Sequence, residues 1–263
     1  MTLDPIQYVL GAFSGGLVGL ALGLFGGGGS ILAVPLMAYV VGVPNPHLAI
    51  GTSAFAVAAN ALANLVGHAR LGHVKWGCAI IYSLAGIAGA LIGSTVGKLL
   101  DGQHLLLAFA FLMILVGVLM LKRRTIQGDA GAHCSRANAP KVIAFGGLTG
   151  ILSGFFGIGG GFLIVPGLMA STGMPILFAV GSSLVAVAAF GLTTAVNYAW
   201  SGFVDWTLAT VFIGGGVVGG LLGAVVASRL AARKGALNVM FALMILVVAA
   251  YMLYRGLTQI IAA

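Results

Sequence analysis

Two glycine-rich segments are the residues of this chain best suited to bind a small ion. The first reads Gly-Leu-Phe-Gly-Gly-Gly-Gly-Ser at 23–30, and a similar segment, Gly-Phe-Phe-Gly-Ile-Gly-Gly-Gly, returns 131 positions later at 154–161. Each lies in a long apolar stretch, and a proline follows each at a matching distance, Pro35 and Pro166. Runs of glycine disfavour a continuous helix, so we expect a helix break at both places.

Backbone at these breaks could bind an anion. Half-helices beginning near Ser30 and near Phe162 would point unpaired N–H groups and the positive end of the helix dipole at the break, and such ends bind anions without a charged side chain. The alternative is that the glycines only let helices pack closely, although a packing motif needs small residues four apart rather than four in a row. The candidate backbone comprises Gly26, Gly27, Gly28, Gly29, Ser30, Gly157, Gly159, Gly160 and Gly161.

Polar side chains on two matching helices form a second candidate. On the helix that begins at His47, four of them are spaced by fours and eights and share a face, namely Thr52, Asn60, Asn64 and His68, with Ser53 beside them. The matching helix carries Ser182, Ser183, Thr193, Thr194, Asn197 and Tyr198. The two stripes could line a substrate path by hydrogen bonding; alternatively, such side chains join helices to each other.

Two residues close the first stripe at what we expect to be a cytoplasmic mouth, His68 and Arg70. A basic group there could attract an anion, but a loop arginine is more often an orientation signal. His68 could titrate near neutral pH, although a solvated loop histidine is the simpler interpretation.

Composition places the chain in a lipid bilayer. It is 60% hydrophobic and 6% charged, with a mean hydropathy of +1.16 and 43 glycines in 263 residues, whereas soluble domains carry about 25% charged residues. The net charge of +8 comes from twelve Lys and Arg in short loops, where membrane orientation places them. We therefore expect no nucleic-acid partner.

Missing residue types narrow the function. The chain has no glutamate, and its four aspartates lie at termini or loops, so it lacks the acidic side chains that cation pathways and proton relays normally use. No nucleophile–base pair, phosphate loop or metal-ligand spacing occurs, so we expect no enzyme activity, metal or cofactor. Cys78 in an apolar stretch and Cys134 in a polar loop do not indicate a disulfide framework.

An internal duplication organises the whole chain. Gly51-Thr52-Ser53 matches Gly181-Ser182-Ser183, and the offset of 130 to 131 positions holds across the full half. We expect a transmembrane repeat at 1–124, a cytoplasmic linker at 125–140 and a second repeat at 141–263, together forming one integrated membrane domain.

Counting basic residues predicts the topology. If each glycine region crossed the membrane once, eight Lys and Arg would lie on one side and four on the other. If each closes a hairpin of two half-helices, ten share one side, leaving Lys98 and Arg255. Because positive residues concentrate in the cytoplasm, the hairpin arrangement is favoured. Five membrane segments per repeat make the repeats inverted, with both termini outside the plasma (inner) membrane.

The paired glycine motifs with their prolines, at 23–35 and 154–166, and the Gly-Thr-Ser and Gly-Ser-Ser pair resemble the TauE/SafE family of sulfite and organosulfonate exporters. The resemblance covers essentially the whole chain. It implies an integral membrane transporter for sulfur-containing anions such as sulfite, sulfoacetate or related sulfonates.

Together these observations predict an all-α integral membrane protein of two inverted repeats, each a glycine-broken half-helix hairpin plus three transmembrane helices. It would export a small sulfur-containing anion by alternating access, with the anion held at the half-helix N-termini. The alternatives are an importer or channel for another small anion and a non-transporting membrane assembly protein. The coupling ion and the oligomeric state, a homo-oligomer included, stay open.

Overall fold

The computed structural model describes residues 4–122, 134, 138–157, 161–230 and 236–262, and within these ranges its regular structure is entirely helical. Seven of the described helical stretches are long and apolar enough to cross a membrane, which agrees with the predicted all-α membrane protein. The helices are α1 Pro5–Phe25, α2 Ala33–Pro35, α3 Pro46–Arg70, α4 Trp76–Gly97, α5 Gly102–Lys122, α6 Ala139–Phe156, α7 Gly161–Thr172, α8 Ile176–Trp200, α9 Trp206–Leu230 and α10 Ala236–Ala262.

The chain reverses direction at the first glycine run. Gly26 ends α1 with φ +60°, a backbone conformation that glycine adopts at little cost. The return segment, residues 26–40, then runs back along α1 as a 3₁₀ helix at Gly26–Leu32, the short α2, and a π-helix at Leu36–Val40. Near the start of α1, the Gln7 side chain donates to the carbonyl of Val41 over 3.0 Å, so the two ends of this hairpin lie together.

Helical geometry resumes earlier after the first break than the sequence suggested. We expected a half-helix beginning near Ser30, but the glycines themselves form the 3₁₀ helix from Gly26. Close packing explains this, because a Cβ atom on Gly29 would overlap the backbone of Ala21 and Leu22 in α1. The tight 3₁₀ helix therefore fits where side chains would not.

The second break has a similar beginning. Helix α6 ends at Phe156, and Gly157, which follows it, is left-handed with φ +66°. Helix α7 begins at Gly161, one residue before the expected start at Phe162. Residues 158–160, which include the candidate residues Gly159 and Gly160, lie outside the described residues.

Glycines bring helices from opposite halves of the chain into backbone contact. Along α1 and α9, a Cβ on Gly19 would overlap the backbone of Gly216, and one on Gly215 would overlap Ala12. Along α4 and α6, Gly150 meets the backbone of Gly86 in the same way. Small residues allow this approach in lipid, where packing rather than water expulsion drives association.

Helices α3 and α8 cross each other in opposite directions. Gly51, near the start of α3, packs against Phe203, which follows the end of α8. Gly181, near the start of α8, packs against His73, which follows the end of α3. Helices α3 and α8, which match each other in the two halves, therefore run antiparallel.

One sequence expectation was wrong. Cys78 in α4 and Cys134 form a disulfide bond, 56 positions apart in sequence. The reason is spatial: residue 134 lies beside the first turn of α4, a proximity that two cysteines in unlike surroundings do not reveal.

Adjacent glycines on α9 provide a matched test of the backbone contact. Gly215→Ala places a methyl group against the carbonyl of Ala12, whereas a Cβ on Gly214 meets no atom within 4 Å. We expect Gly215→Ala to cost about 1–3 kcal/mol from overpacking and Gly214→Ala to be neutral or stabilising by about 0.5–1 kcal/mol. Melting temperatures of the purified variants in detergent measure both; equal values would contradict the contact.

Candidate functional site

The two glycine regions lie against each other in the buried interior. A Cβ atom on Gly161 would overlap the carbonyl of Gly27. The N–H of Gly161 donates to Ser30 Oγ over 3.2 Å, and Ser30 Oγ donates to the Gly27 carbonyl over 2.9 Å. Residues 26–30 are all buried. The start of α7 and the return segment therefore share one hydrogen-bonded contact.

Ser183 of α8 bonds directly to the first break. The N–H of Gly27 donates to Ser183 Oγ over 3.0 Å, while that hydroxyl donates to the carbonyl of Val180 over 2.7 Å. Gly26 packs on Val180 as well. Ser183 and Ser30, both fully buried, are thus the two side chains with hydroxyls at this contact.

Ser53 occupies the matching position on α3. Its hydroxyl is fully buried and donates to the carbonyl of Ile50 over 3.0 Å. Gly157 packs on Ile50, much as Gly26 packs on Val180. The residues that would complete the comparison, 158–160, lie outside the described residues.

Thr52 and Ser182, the other hydroxyls of the two pairs, bond to interhelical loops instead. Thr52 Oγ1 accepts from the N–H of Asp205 over 2.9 Å. Ser182 Oγ accepts from the N–H of Lys75 over 2.8 Å. Each hydroxyl satisfies a backbone donor just before a helix, α9 or α4, where the first N–H groups lack helical partners. The structure thus separates the two members of each pair.

Asn60 and Asn64 face α9 from within the bundle. A Cβ on Gly216 would overlap the Asn60 amide, and one on Gly220 would meet the Asn64 amide. Asn64 Nδ2 donates to the carbonyl of Asn60 over 2.9 Å. Both polar atoms of the Asn60 amide are buried without a hydrogen-bond partner in the described part of the chain. An unpaired buried amide costs free energy, which makes Asn60 a candidate to bond with a polar ligand.

His68 is buried, which corrects the interpretation of it as a solvated loop residue. Its side chain is 3% exposed, and Nε2 lies 3.4 Å from the Gly23 carbonyl near the end of α1. Its ring faces that of His73 with centroids 5.8 Å apart. Partial burial lowers the pKa of His73. Arg70, the other residue of the expected mouth, is exposed.

Asn197 belongs to a polar cluster at the end of α4. Its Nδ2 donates to Ser94 Oγ over 2.6 Å, and its Oδ1 accepts from Lys98 Nζ over 2.9 Å. Lys98 Nζ also donates to Ser201 Oγ over 2.9 Å. From the sequence, Lys98 was interpreted only as a charged loop residue. Its expected position on the side of the membrane with few basic residues is the signal that could have identified it as part of a polar cluster.

Tyr198 is fully buried, and its hydroxyl has no hydrogen-bond partner among the described residues. Its ring contacts His47 and Phe203 at centroid distances of 6.2 Å and 6.3 Å. The 130-position offset pairs Tyr198 with His68. Because α3 and α8 are antiparallel, these two residues lie at opposite ends of the helix pair.

The predicted residues therefore form more than one group. One group, the central contact, consists of backbone and hydroxyl groups from residues 26–30, Gly161 and Ser183. The hydroxyls of Thr52 and Ser182 instead bond to the loops that precede α9 and α4. No group of three His, Cys, Asp or Glu able to hold a metal ion occurs in the described ranges. The central contact can offer hydrogen-bond donors to an anion but contains no ionisable side chain.

Comparison with known proteins identifies the family. A family model described as "Sulfite exporter TauE/SafE" matches residues 11–252. The chain belongs to the TauE/SafE family. It is therefore a membrane transporter, and the seven long apolar helical stretches among its described residues make it a multi-pass membrane protein.

Relatives of this TauE/SafE chain are described as probable membrane transporter proteins. One from Xylella fastidiosa (strain 9a5c) is 53% identical over 268 residues, covering 100% of both chains. YunE from Bacillus subtilis (strain 168) is 29% identical and covers 96% of this chain and 98% of its own length. No solved structure matches the chain significantly.

Thr52 provides a test of the loop-fastening contacts. Thr52→Val removes the acceptor for the Asp205 N–H and should cost about 1–3 kcal/mol of stability, a fall of several degrees in melting temperature for a chain of this size. Thr193→Val is the control, because the Thr193 hydroxyl bonds only within its own helix, to Ala189. Equal melting temperatures in detergent would contradict the role of Thr52.

Proposed function

We propose that this chain exports small sulfur-containing anions of the sulfite and organosulfonate class by alternating access. The observation that carries the proposal is the buried contact between the two glycine regions, bridged by Ser30 and Ser183. That contact offers neutral donors, and it contains none of the described aspartates, Asp4, Asp101 and Asp205. The family description names sulfite export, which supports the choice of substrate class.

The chemistry of such an anion matches these donors. A sulfite or sulfonate group presents three oxygens that share a negative charge and accept hydrogen bonds. Backbone N–H groups at a helix start favour an anion, and hydrogen bonds to a charged acceptor are roughly twice as strong as neutral ones. The N–H groups of Gly27 and Gly161 now bond to Ser183 and Ser30. A bound anion would replace these hydroxyl oxygens as the acceptor, and the hydroxyls would turn to donate to it.

We further propose that segments 1–124 and 141–263 are inverted repeats joined by the linker 125–140. Three contacts support this arrangement: the antiparallel crossing of α3 and α8, the Gln7–Val41 hydrogen bond that closes the first hairpin, and the exchange of partners between halves. In that exchange α1 packs on α9, and its counterpart α6 packs on α4.

Two observations favour opposite orientations in the plasma (inner) membrane. The concentration of basic residues favours a cytoplasmic position for Lys75 and the linker, with both termini outside. The Cys78–Cys134 disulfide lies at the same end of the helices as Lys75. It favours an oxidising compartment for that end, because cytosolic disulfides are rare. We retain the charge-based orientation, since ten of the twelve basic residues support it.

Single cysteines can test both the inversion and the orientation. Leu71 and Ser201 occupy matching, exposed positions just after α3 and α8. In a background with Cys78→Ser and Cys134→Ser, Leu71→Cys should react with a membrane-impermeant thiol reagent only after permeabilisation, and Ser201→Cys in intact cells. Labelling of both from one side would refute the inversion. Labelling with the two sides exchanged would refute only the orientation.

Ser183 tests the central contact as the substrate site. In proteoliposomes, Ser183→Ala should lower sulfite or sulfoacetate flux about tenfold, equivalent to about 1.4 kcal/mol for one hydrogen bond to a charged group. Ser171→Ala is the matched control, since Ser171 is also buried but its hydroxyl bonds only to Leu168 of its own helix.

The substrate panel should include sulfite, sulfoacetate, taurine and sulfate. Unchanged flux in a folded Ser183→Ala variant would contradict the site. Transport of none of these compounds by the unmodified protein would overturn the substrate class and favour the importer or channel for another anion, or the assembly protein.

A further inference from the structure

His68 combines burial with an unused proton-binding atom. A carbonyl oxygen only accepts hydrogen bonds, so the contact to Gly23 O at 3.4 Å requires that Nε2 carries a hydrogen. The other ring nitrogen, Nδ1, is buried and has no hydrogen-bond partner in the described part of the chain. A neutral imidazole bonded in this way keeps a lone pair on Nδ1 that can accept a proton.

The end of α1 favours a positive charge at this place. Gly23 lies within the last four residues of α1, whose carbonyls have no partners inside the helix. These carbonyls form the negative end of the helix dipole, which stabilises a nearby cation. Asn60, Asn64 and His68 are spaced four residues apart on α3 and form a buried row. Its last member, His68, contacts Gly23, which lies three residues before the break at Gly26.

The described ionisable group in ring contact with His68 is another imidazole. His73, in the loop after α3, faces the His68 ring, and burial lowers the pKa of His73, which favours its neutral form. In the same loop Lys75 places Nζ 4.7 Å from the ring centroid of Phe178. Neither of them is an acid that could balance a charge on His68.

The helices packed around α3 bring no described carboxylate to His68. Asp205, which precedes α9, bonds through its N–H to Thr52, about 24 Å from His68 along α3. Tyr8 lies at the far end of α1, and Tyr198 at the far end of the pair α3 and α8. Other ionisable side chains on packed segments have partners elsewhere: Tyr39 with Tyr251 and His104 with Asp101.

We propose that His68 is the proton-binding residue that couples anion transport to proton movement, an inference that rests on the proposed function. Water on the loading side supplies the proton to Nδ1, and the imidazolium becomes the counter-charge of the bound anion. A net charge inside the membrane is costly, so the neutral pair crosses more readily than either ion alone. Proton and anion therefore move in the same direction, and both leave on the opposite side.

The duplication makes this role specific to one half. The position that matches His68 in the second half is Tyr198, and Asn60 is matched by Phe190. A tyrosine cannot become a cation by gaining a proton at physiological pH. Among the described histidines only His68 is a buried residue, which predicts one proton per monovalent anion.

The transport test uses methanesulfonate as the probe, because a sulfonate stays ionised across the working pH range. The full-length protein is reconstituted in vesicles, with the membrane potential clamped and a pH dye inside. We expect an inward methanesulfonate gradient to acidify the lumen by about one proton per anion. His68→Gln keeps a donor for Gly23 O but cannot take a proton, so this acidification should disappear.

His73→Gln is the control and should leave the acidification unchanged. Anion flux without proton movement in the unmodified protein would overturn the coupling and leave the proposed function intact. Proton movement that persists in His68→Gln would overturn the assignment to His68. Absence of flux for every anion in the panel would overturn the proposed function and the coupling together.

Binding in detergent supplies a second measurement, in case His68→Gln does not transport. The affinity of the unmodified protein for methanesulfonate should be about tenfold tighter at about pH 5.5 than at about pH 7.5, the range in which an imidazole loses its proton. In His68→Gln the two affinities should be equal. A pH-independent affinity in the unmodified protein would contradict the role of His68.

Discussion

Backbone-to-backbone approach between helices is the constraint on which the structure depends. At Gly19 with Gly216 and at Gly86 with Gly150, a single added carbon would overlap the partner's main chain. In lipid there is little gain from expelling water between helices, so van der Waals contact at such distances supplies much of the association. The two close pairs, α1 with α9 and α4 with α6, flank the crossing of α3 and α8 and thereby hold the two glycine regions against each other.

Serine and threonine hydroxyls provide hydrogen-bond partners for backbone N–H groups between the helices. A glycine run leaves backbone donors that lipid cannot satisfy, and each unsatisfied group costs several kcal/mol. Ser30 and Ser183 satisfy such donors at the central contact, while Thr52 and Ser182 satisfy them before α9 and α4. Adjacent hydroxyls on one helix thus serve different elements, because neighbouring residues on a helix point about 100° apart.

The sequence predicted the elements better than their partners. Composition and the length of the apolar stretches indicated membrane helices, and α3 begins at Pro46, one residue before the predicted start at His47. The breaks were expected from glycine content alone. The sequence did not reveal that Thr52 bonds to a loop 153 positions away, that Lys98 joins Asn197, or that Cys78 bonds to Cys134. Those contacts depend on how the helices pack. The spacing of residues along a helix indicates which of them share a face, but it does not indicate which residues of other segments lie opposite that face. The burial of His68 was missed because it lies two residues before the end of a helix, where burial is decided by the neighbouring α1.

The exchange of partners has a mechanical consequence. Because α1 packs backbone-to-backbone on α9, and α4 on α6, the closely packed helix groups of this molecule are not the two halves of its sequence. One group contains α1, α9 and the adjoining α3, the other contains α6, α4 and the adjoining α8, and each group mixes both halves. The loops at 71–75 and 201–205 connect one group to the other, so any movement of one group against the other would have to change the conformation of these loops. The hydroxyls of Ser182 and Thr52 bond to the backbone of those loops and would therefore resist such a movement.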